Sequence, residues 1–150
     1  MTLRRAGPAD IPSILALQQA AYARNRDILG VEPMPLLADY ADIVASHEIW
    51  LAEGTDALEG VLILQARPDD LLVWSVAVTP ASQGSGVGNK LLAQAEHRAR
   101  ALNRSRLRLY TGEPLTGNIA WYQRHGFVCE RVERLCDRRI VHMVKDLDPA

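Results

Sequence analysis

The segment Leu71-Leu-Val-Trp-Ser-Val-Ala-Val-Thr-Pro-Ala-Ser-Gln-Gly-Ser-Gly-Val-Gly88, running directly into Asn-Lys-Leu-Leu-Ala-Gln-Ala95, constrains the fold of this chain more than any other stretch. Residues 71–78 are apolar apart from Ser75, rich in valine and closed by Thr79-Pro80. That length and punctuation predict a central strand covered on both faces, not a helix fragment. After it, Gly84, Gly86 and Gly88 permit positive φ and let a ligand approach the main chain closely. Leu91, Leu92, Ala95, Ala99 and Leu102 then fall at helical spacing, so a helix begins near Gly86. Its first turn leaves N–H groups unpaired at the positive end of the helix dipole, an arrangement that favours an anion such as a pyrophosphate.

Spacing sorts the ligands such a turn can hold. A nucleotide P-loop requires G-x-x-x-x-G-K-[ST], and here Lys90 is preceded by Asn89 and followed by Leu91. A dinucleotide turn requires G-x-G-x-x-G and an acidic residue at the end of a second strand, whereas these glycines run G-x-G-x-G and residues 107–110 supply no carboxylate. The pattern that fits is Q/R-x-x-G-x-G/A, as Gln83-Gly84-Ser85-Gly86-Val87-Gly88, preceded by Val76-Ala-Val-x-Pro80. A second motif follows, Asn118-Ile-Ala-Trp-Tyr122-Gln-Arg-His-Gly126-Phe127, of the form N-x-x-x-Y-x-x-x-G-F. With both motifs in order and a closing strand Ile140 to Leu147, the chain resembles the GCN5-related N-acetyltransferase (GNAT) family over nearly its whole length.

At 150 residues the chain is long enough to bury about 70% of its unfolded surface without metals or disulfides, and a single domain over residues 1–150 is expected. A net charge of −1 gives no electrostatic footprint for nucleic acid. The N-terminal residues lack the apolar core of a signal peptide, and no run approaches the ~18 apolar residues of a membrane span. The expected compartment is therefore the cytoplasm. Cys129 and Cys136 are too few for a disulfide framework and lack metal-ligand spacing, so they are expected to be reduced packing residues and no metal is implied.

Along the chain, Thr2 to Ala6 forms a first strand and Pro8-Ala-Asp-Ile-Pro12 starts a helix with Asp10 as N-cap. Ile14, Leu15, Leu17, Ala21 and Tyr22 mark its buried stripe. Two prolines and a glycine in Gly30-Val-Glu-Pro-Met-Pro35 predict a loop over about 25 to 36, before a short helix from Leu36 to Ser46. Ile49 to Ala52 and Leu58 to Ala66 make an antiparallel meander with the central strand. The helix from Gly86 to Leu102 and the strand Leu107 to Thr111 complete a right-handed crossover that makes strands four and five parallel. Phe127 to Leu135 and Arg139 to Leu147 end the sheet as a hairpin. The fold class is α/β, a mixed central sheet in the order β-α-α-β-β-β-α-β-α-β-β, which is the GNAT order. The resemblance further implies that strands four and five splay at their C-terminal ends and leave a cleft.

The resemblance also assigns roles. Acetyl-CoA would serve as acetyl donor, its pyrophosphate on the main-chain N–H groups of Gln83, Gly84, Ser85, Gly86, Val87 and Gly88. The peptide groups of Val76 and Val78 would hold its pantetheine arm in β-like fashion, beside the core packing of those side chains. Tyr122 stands where the family places a phenol that protonates the departing thiolate; a thiol of pKa ~8.5 leaves more readily with a donor in reach, and a phenol of pKa ~10 stays protonated at neutral pH. Asn118 either contacts the CoA arm or caps the short helix. Some relatives carry a glutamate base on strand four or five, but Leu72 to Ser75 and Leu109 to Thr111 contain no carboxylate. Glu113, just past strand five, is the nearest candidate, alongside a water chain. His47, His97, His125 and His142 scatter over different elements and are expected to be surface or packing residues. Acceptor selection is expected from the segment Tyr22 to Leu36 and from the loop Cys136-Asp-Arg-Arg139.

These features predict an acetyl-CoA-dependent N-acetyltransferase that moves the acetyl group directly to a primary amine of a small molecule or peptide. Neither cysteine lies in a motif for an acyl-enzyme. A protein N-terminal or lysine acetyltransferase and a non-catalytic acyl-CoA-binding module remain as alternatives. No nucleic-acid or membrane partner is expected, and self-association as a homodimer stays open.

Overall fold

The computed structural model describes residues 2–148. Seven strands form one sheet in the order β1-β2-β3-β4-β5-β7-β6, with β1 Thr2–Arg5, β2 Glu48–Glu53, β3 Leu58–Ala66, β4 Leu71–Val78, β5 Arg106–Gly112, β6 Val128–Arg134 and β7 Arg139–Asp146. All neighbouring pairs are antiparallel except β4 and β5. The helices are α1 Ile11–Leu29, α2 Met34–Leu37, α3 Tyr40–Ser46, α4 Val87–Ala101 and α5 Thr116–Arg124. The parallel pair is bridged by α4, as the crossover rule requires.

Alternation along β3 separates two cores. Leu62 and Leu64 face Val87, Leu91, Ala95 and Ala99 of α4, whereas Val61 and Ile63 face Ile14, Leu17, Tyr40 and Ile43 of α1 and α3. One face of the sheet therefore carries α1 to α3 and the other α4 and α5. Val61, Leu62, Ile63 and Leu91 are all fully buried, each contributing about 1.5–3 kcal/mol.

Three expectations from sequence change. First, α1 continues to Leu29, because nothing between residues 23 and 29 breaks it; Gly30, at φ 71, closes it with an N–H bond to Arg26 O. Second, residues 36–46 do not form one helix. Ala38 is extended, and the Asp39 carboxylate accepts the Ala41 N–H at 2.9 Å to start α3. Third, Asp10 does not cap α1 with its side chain. It accepts the Gly7 N–H at 2.9 Å and pairs with Arg4 at 2.7 Å, fixing the turn ahead of the helix.

The parallel pair is joined only at its start, Leu71 to Leu107 and Leu72 to Arg108. Beyond these residues β4 stays with β3 up to Val78 and β5 stays with β7 up to Gly112. Trp74 is an extra residue in β4: Val73 pairs with Leu64 and Ser75 with Ile63, leaving Trp74 unmatched. A bulge of this kind bends its strand, and it lies where β4 leaves β5. Asp70, at the head of β4, ties the closed end. Its carboxylate accepts from Arg67 at 2.6 and 2.8 Å and from Arg108 of β5 at 3.2 Å.

Candidate active site

The divergence of β4 and β5 opens a cleft of about 920 Å³. Of the residues singled out from sequence, Val76, Val78, Gln83, Gly84, Gly86, Gly88, Asn118 and Tyr122 line it. Val87 is buried against the α4 core and Ser85 lies exposed on the turn.

The turn 80–88 explains its own composition. Gly84 (φ 82) and Gly86 (φ 91) hold left-handed backbone, and a Cβ on either would meet nothing within 4 Å. The space over them is open to a ligand. Gln83 N–H and Ser85 N–H are used inside the turn, bonding Pro80 O and Ser82 O. The Gln83 side chain closes the loop by donating to Val78 O at 3.2 Å. Among the described residues, the N–H groups of Gly84, Gly86, Val87, Gly88 and Asn89 make no backbone hydrogen bond, since α4's first internal bond runs from Lys90 N to Gly86 O. These free donors at the start of a 15-residue helix have the arrangement that suits an anion. Gly88 meets a different requirement. Its Cβ would lie 3.0 Å from Trp121 Cζ2, so glycine there lets α5 pack on the first turn of α4.

The second motif is a helix stop. Gly126 (φ 92) follows α5, Gly126 N–H bonds Gln123 O at 3.1 Å, and Phe127 N–H bonds Tyr122 O at 3.1 Å. This is a Schellman closure, with the customary apolar contact between the third-last helical residue and the residue after glycine. Here that contact is Tyr122 against Phe127, edge-on at 5.7 Å, with Phe127 buried. The Y-x-x-x-G-F spacing thus fixes the phenol ring on the cleft wall. Tyr122 Oη has no hydrogen-bond partner among the described residues. Burial pushes its pKa well above that of a free phenol, so the hydroxyl keeps its proton. Asn118 lies inside α5, whose N-cap is Leu115; the capping role is therefore excluded and the cleft-facing one remains.

Glu113 is not brought into the cleft. It lines a smaller neighbouring hollow and pairs with Arg139 at 3.4 Å. The scattered histidines stay out of the cleft lining as well.

A buried polar chain that sequence reasoning missed lies on the α1 side. Gln18 Nε2 donates to Tyr40 Oη at 2.9 Å and to Ser75 Oγ at 3.1 Å, and Ser75 Oγ lies 2.9 Å from Tyr22 Oη. Tyr40 Oη donates to Pro35 O at 2.8 Å, tying the start of α3 to α2. Gln18 and Ser75 are buried, and Tyr22 and Ser75 line the cleft. Burial pushes the Tyr22 pKa up to about 12 and also raises those of Tyr40 and Tyr110. The only trace in sequence was Ser75 as the one polar residue of its strand, and Gln18 at helical spacing between Ile14 and Tyr22.

Among the described residues, no group of three or more His, Cys, Asp or Glu is placed to hold a metal ion. No helix is long and apolar enough to cross a membrane. Cys129 and Cys136 are exposed and unpaired with each other.

A parallel pair split at its centre, a turn of unpaired N–H groups on one rim and a buried phenol on the wall make up the cleft that comparison with known proteins identifies. The chain belongs to the acetyltransferase (GNAT) family, whose model matches residues 12–127. It is 30% identical over 104 residues to the uncharacterized N-acetyltransferase YvbK of Bacillus subtilis (strain 168), which covers 65% of this chain and 67% of that protein. The ribosomal-protein-S18-alanine N-acetyltransferase of Escherichia coli shares its fold at a TM-score of 0.82 and 18% identity, over 99% of this chain and 95% of that one. A GNAT family acetyltransferase from Elizabethkingia anophelis with acetyl-CoA bound does so at a TM-score of 0.78 and 18% identity, over 97% of each chain.

Proposed function

We propose that this enzyme transfers the acetyl group of acetyl-CoA directly to a primary amine of a small molecule or peptide. The observation that carries the reading is the cleft itself, with free N–H groups at Gly84 and at Gly86 to Asn89 on one rim and the Tyr122 hydroxyl, without a hydrogen-bond partner among the described residues, on its wall. Solved proteins of this shape include one with acetyl-CoA bound and one that acts on an alanine of a ribosomal protein; shape alone does not choose between small and protein acceptors.

In the reaction the amine nitrogen bonds the acetyl carbon, the carbon–sulfur bond breaks, and the amine proton and the thiolate must each be dealt with. The turn 83–88 anchors the pyrophosphate, and the open edge of β4 at Val76 to Val78 aligns the arm and polarises the carbonyl. Asn118 contacts the same arm. Tyr122 gives its proton to the leaving sulfur. Among the described residues no carboxylate lines the cleft, so the amine proton leaves through water. Glu113, outside the lining, is a terminus for that path only across solvent. The two exposed, unpaired cysteines suit a reducing compartment, and the cytoplasm is proposed as its location.

Calorimetry with acetyl-CoA, followed by thiol release against a panel of amines and peptides, tests this reading. Micromolar-range binding and acceptor-dependent thiol release are expected. Binding without release above hydrolysis for every amine would replace it with a sensing role.

A further inference from the structure

The acceptor side of the cleft has a one-sided charge. Among the described residues that line the cleft, the charged side chains are Arg24 and Arg138, with no aspartate, glutamate or lysine. A wall of that kind offers no carboxylate to a polyamine or any second ammonium group, and it favours an acceptor that brings its own negative charge.

The two arginines lie away from the anion-binding turn. Arg24 is on α1, the face of the sheet opposite α4. Arg138 belongs to the turn between β6 and β7, closed by Leu135 N–H to Arg138 O at 2.7 Å. The next residue but one, Ile140, sits in register with Gly112 at the end of β5. There the last turn of α1 presses in: a Cβ on Gly112 would be 2.5 Å from Leu29 Cδ2. Arg138 thus stands where α1 meets β5, across the V from the glycine turn that leads to α4.

Arg138 is also preorganised. Its side chain is only 9% exposed, and Asp137, itself 54% exposed, grips Nε at 3.0 Å and Nη2 at 2.9 Å. Asp137 lines the adjoining hollow but not the cleft, whereas Arg138 lines both. The ion pair therefore holds the guanidinium from behind and leaves Nη1 without a partner among the described residues. A planar guanidinium held in this way suits a carboxylate. Leu29 and Ile140 lie beside this turn, and Ile28, Met34 and Trp74 add further apolar surface to the cleft lining.

Resting on the acetyltransferase reading, we propose that the acceptor is a small primary amine bearing a carboxylate and an apolar side chain, such as an apolar α-amino acid, with Arg138 as the residue that holds the carboxylate.

The test is a matched panel: leucine and phenylalanine, their carboxamides, the amines lacking the carboxyl group, spermidine, and short peptides with the same N-terminal residues. Thiol release is measured from about pH 7 to 10 and compared at equal concentrations of the free-base amine, because the amides and peptides, the free amino acids and the simple amines differ in amine pKa. The free amino acids should exceed their amides and decarboxylated amines in kcat/KM by about 10- to 100-fold, the range of a charge-assisted hydrogen bond. Arg138→Gln should collapse that preference toward unity, mainly through KM for the amino acid, with acetyl-CoA affinity unchanged by calorimetry, and Arg138→Lys should recover part of it. Amides, spermidine or peptides acetylated as well as the amino acids would overturn the proposal while leaving the acetyltransferase reading intact. So would an Arg138→Gln enzyme that keeps its selectivity, or acetyl-CoA binding with no acid in the panel acetylated. Failure to bind acetyl-CoA at all would instead strike the underlying reading.

Discussion

Replacing Tyr122 with phenylalanine removes one oxygen whose structural and chemical roles separate cleanly. The ring packs against Trp121 at 5.1 Å and Phe127 at 5.7 Å, and phenylalanine keeps both contacts. The hydroxyl makes no hydrogen bond among the described residues, so its loss should change stability by less than about 1 kcal/mol. As the proposed general acid, the same hydroxyl would contribute about 10²- to 10⁴-fold to the chemical step, or roughly 3–5 kcal/mol at 1.36 kcal/mol per tenfold. The kinetic effect should therefore exceed the folding effect several-fold. Single-turnover thiol release at saturating substrates should fall at least about 10²-fold with acetyl-CoA affinity little altered. Because burial raises the phenol's pKa, the acid stays loaded through pH ~10, and no alkaline fall in rate below that value should be attributable to it. The linkage sign agrees: a raised folded pKa adds stability that is fully present below the unfolded pKa of ~10 and is lost as pH climbs toward the folded value. Tyr122→Phe should accordingly flatten the alkaline decline in urea stability. Wild-type single-turnover rates in the variant would refute the acid role and leave Tyr122 as the packing half of a helix stop.

Gly86→Val forces a β-branched residue to φ 91, at a backbone cost of about 1–2 kcal/mol, and sets a side chain in the open space over the turn; calorimetry should show acetyl-CoA binding greatly weakened while circular dichroism stays native. Glu113→Gln should shift the pH–rate profile only to the extent that its carboxylate receives a proton across solvent; a profile that still follows each acceptor's own pKa assigns Glu113 to its pair with Arg139 alone. Asp70→Asn should destabilise by about 3 kcal/mol in denaturant titrations, because it leaves Arg67 and Arg108 without their shared carboxylate. Burial alone would raise the Asp70 pKa, but those guanidiniums hold it below the usual range. Its contribution is thus present above pH ~4 and lost as pH falls through the folded value, a loss the variant should not show.

The parts of this enzyme that were legible in sequence are those in which the backbone itself demands a residue type. Gly84 and Gly86 adopt φ that few side chains tolerate, and Gly126-Phe127 completes a closure written in consecutive residues, so both motifs announce themselves locally. What escaped was set by distant partners. Gly88 looks like its two neighbours, yet it answers to Trp121 on another helix. Ser75 meets Gln18 and Tyr22 across 57 and 53 residues. The bulge at Trp74 exists only relative to its pairing with β3. The end of α1 was misjudged because Gly30 terminates the helix, whereas the prolines at 33 and 35 suggested an earlier break. Glu113 follows strand five closely in sequence but turns to Arg139.

The split between β4 and β5 also places two bare strand edges in the middle of a sheet, where most proteins allow them only at the rim. Exposed edges are ordinarily blunted by charge, proline or brevity, but the open run at Val76-Ala77-Val78 is apolar and uncharged. Apart from the bond from Gln83 Nε2 to Val78 O, those peptide groups pair only with β3 among the described residues, which is a liability toward strand addition by another chain. A pantetheine arm along that edge would act as a removable patch. Any ligand confined to the folded state stabilises it by about 2.7 kcal/mol at a hundred times its dissociation constant, so amide exchange in β4, the thermal midpoint and resistance to aggregation should all titrate together with acyl-CoA. The gap that admits the substrate thereby ties the durability of the protein to its supply.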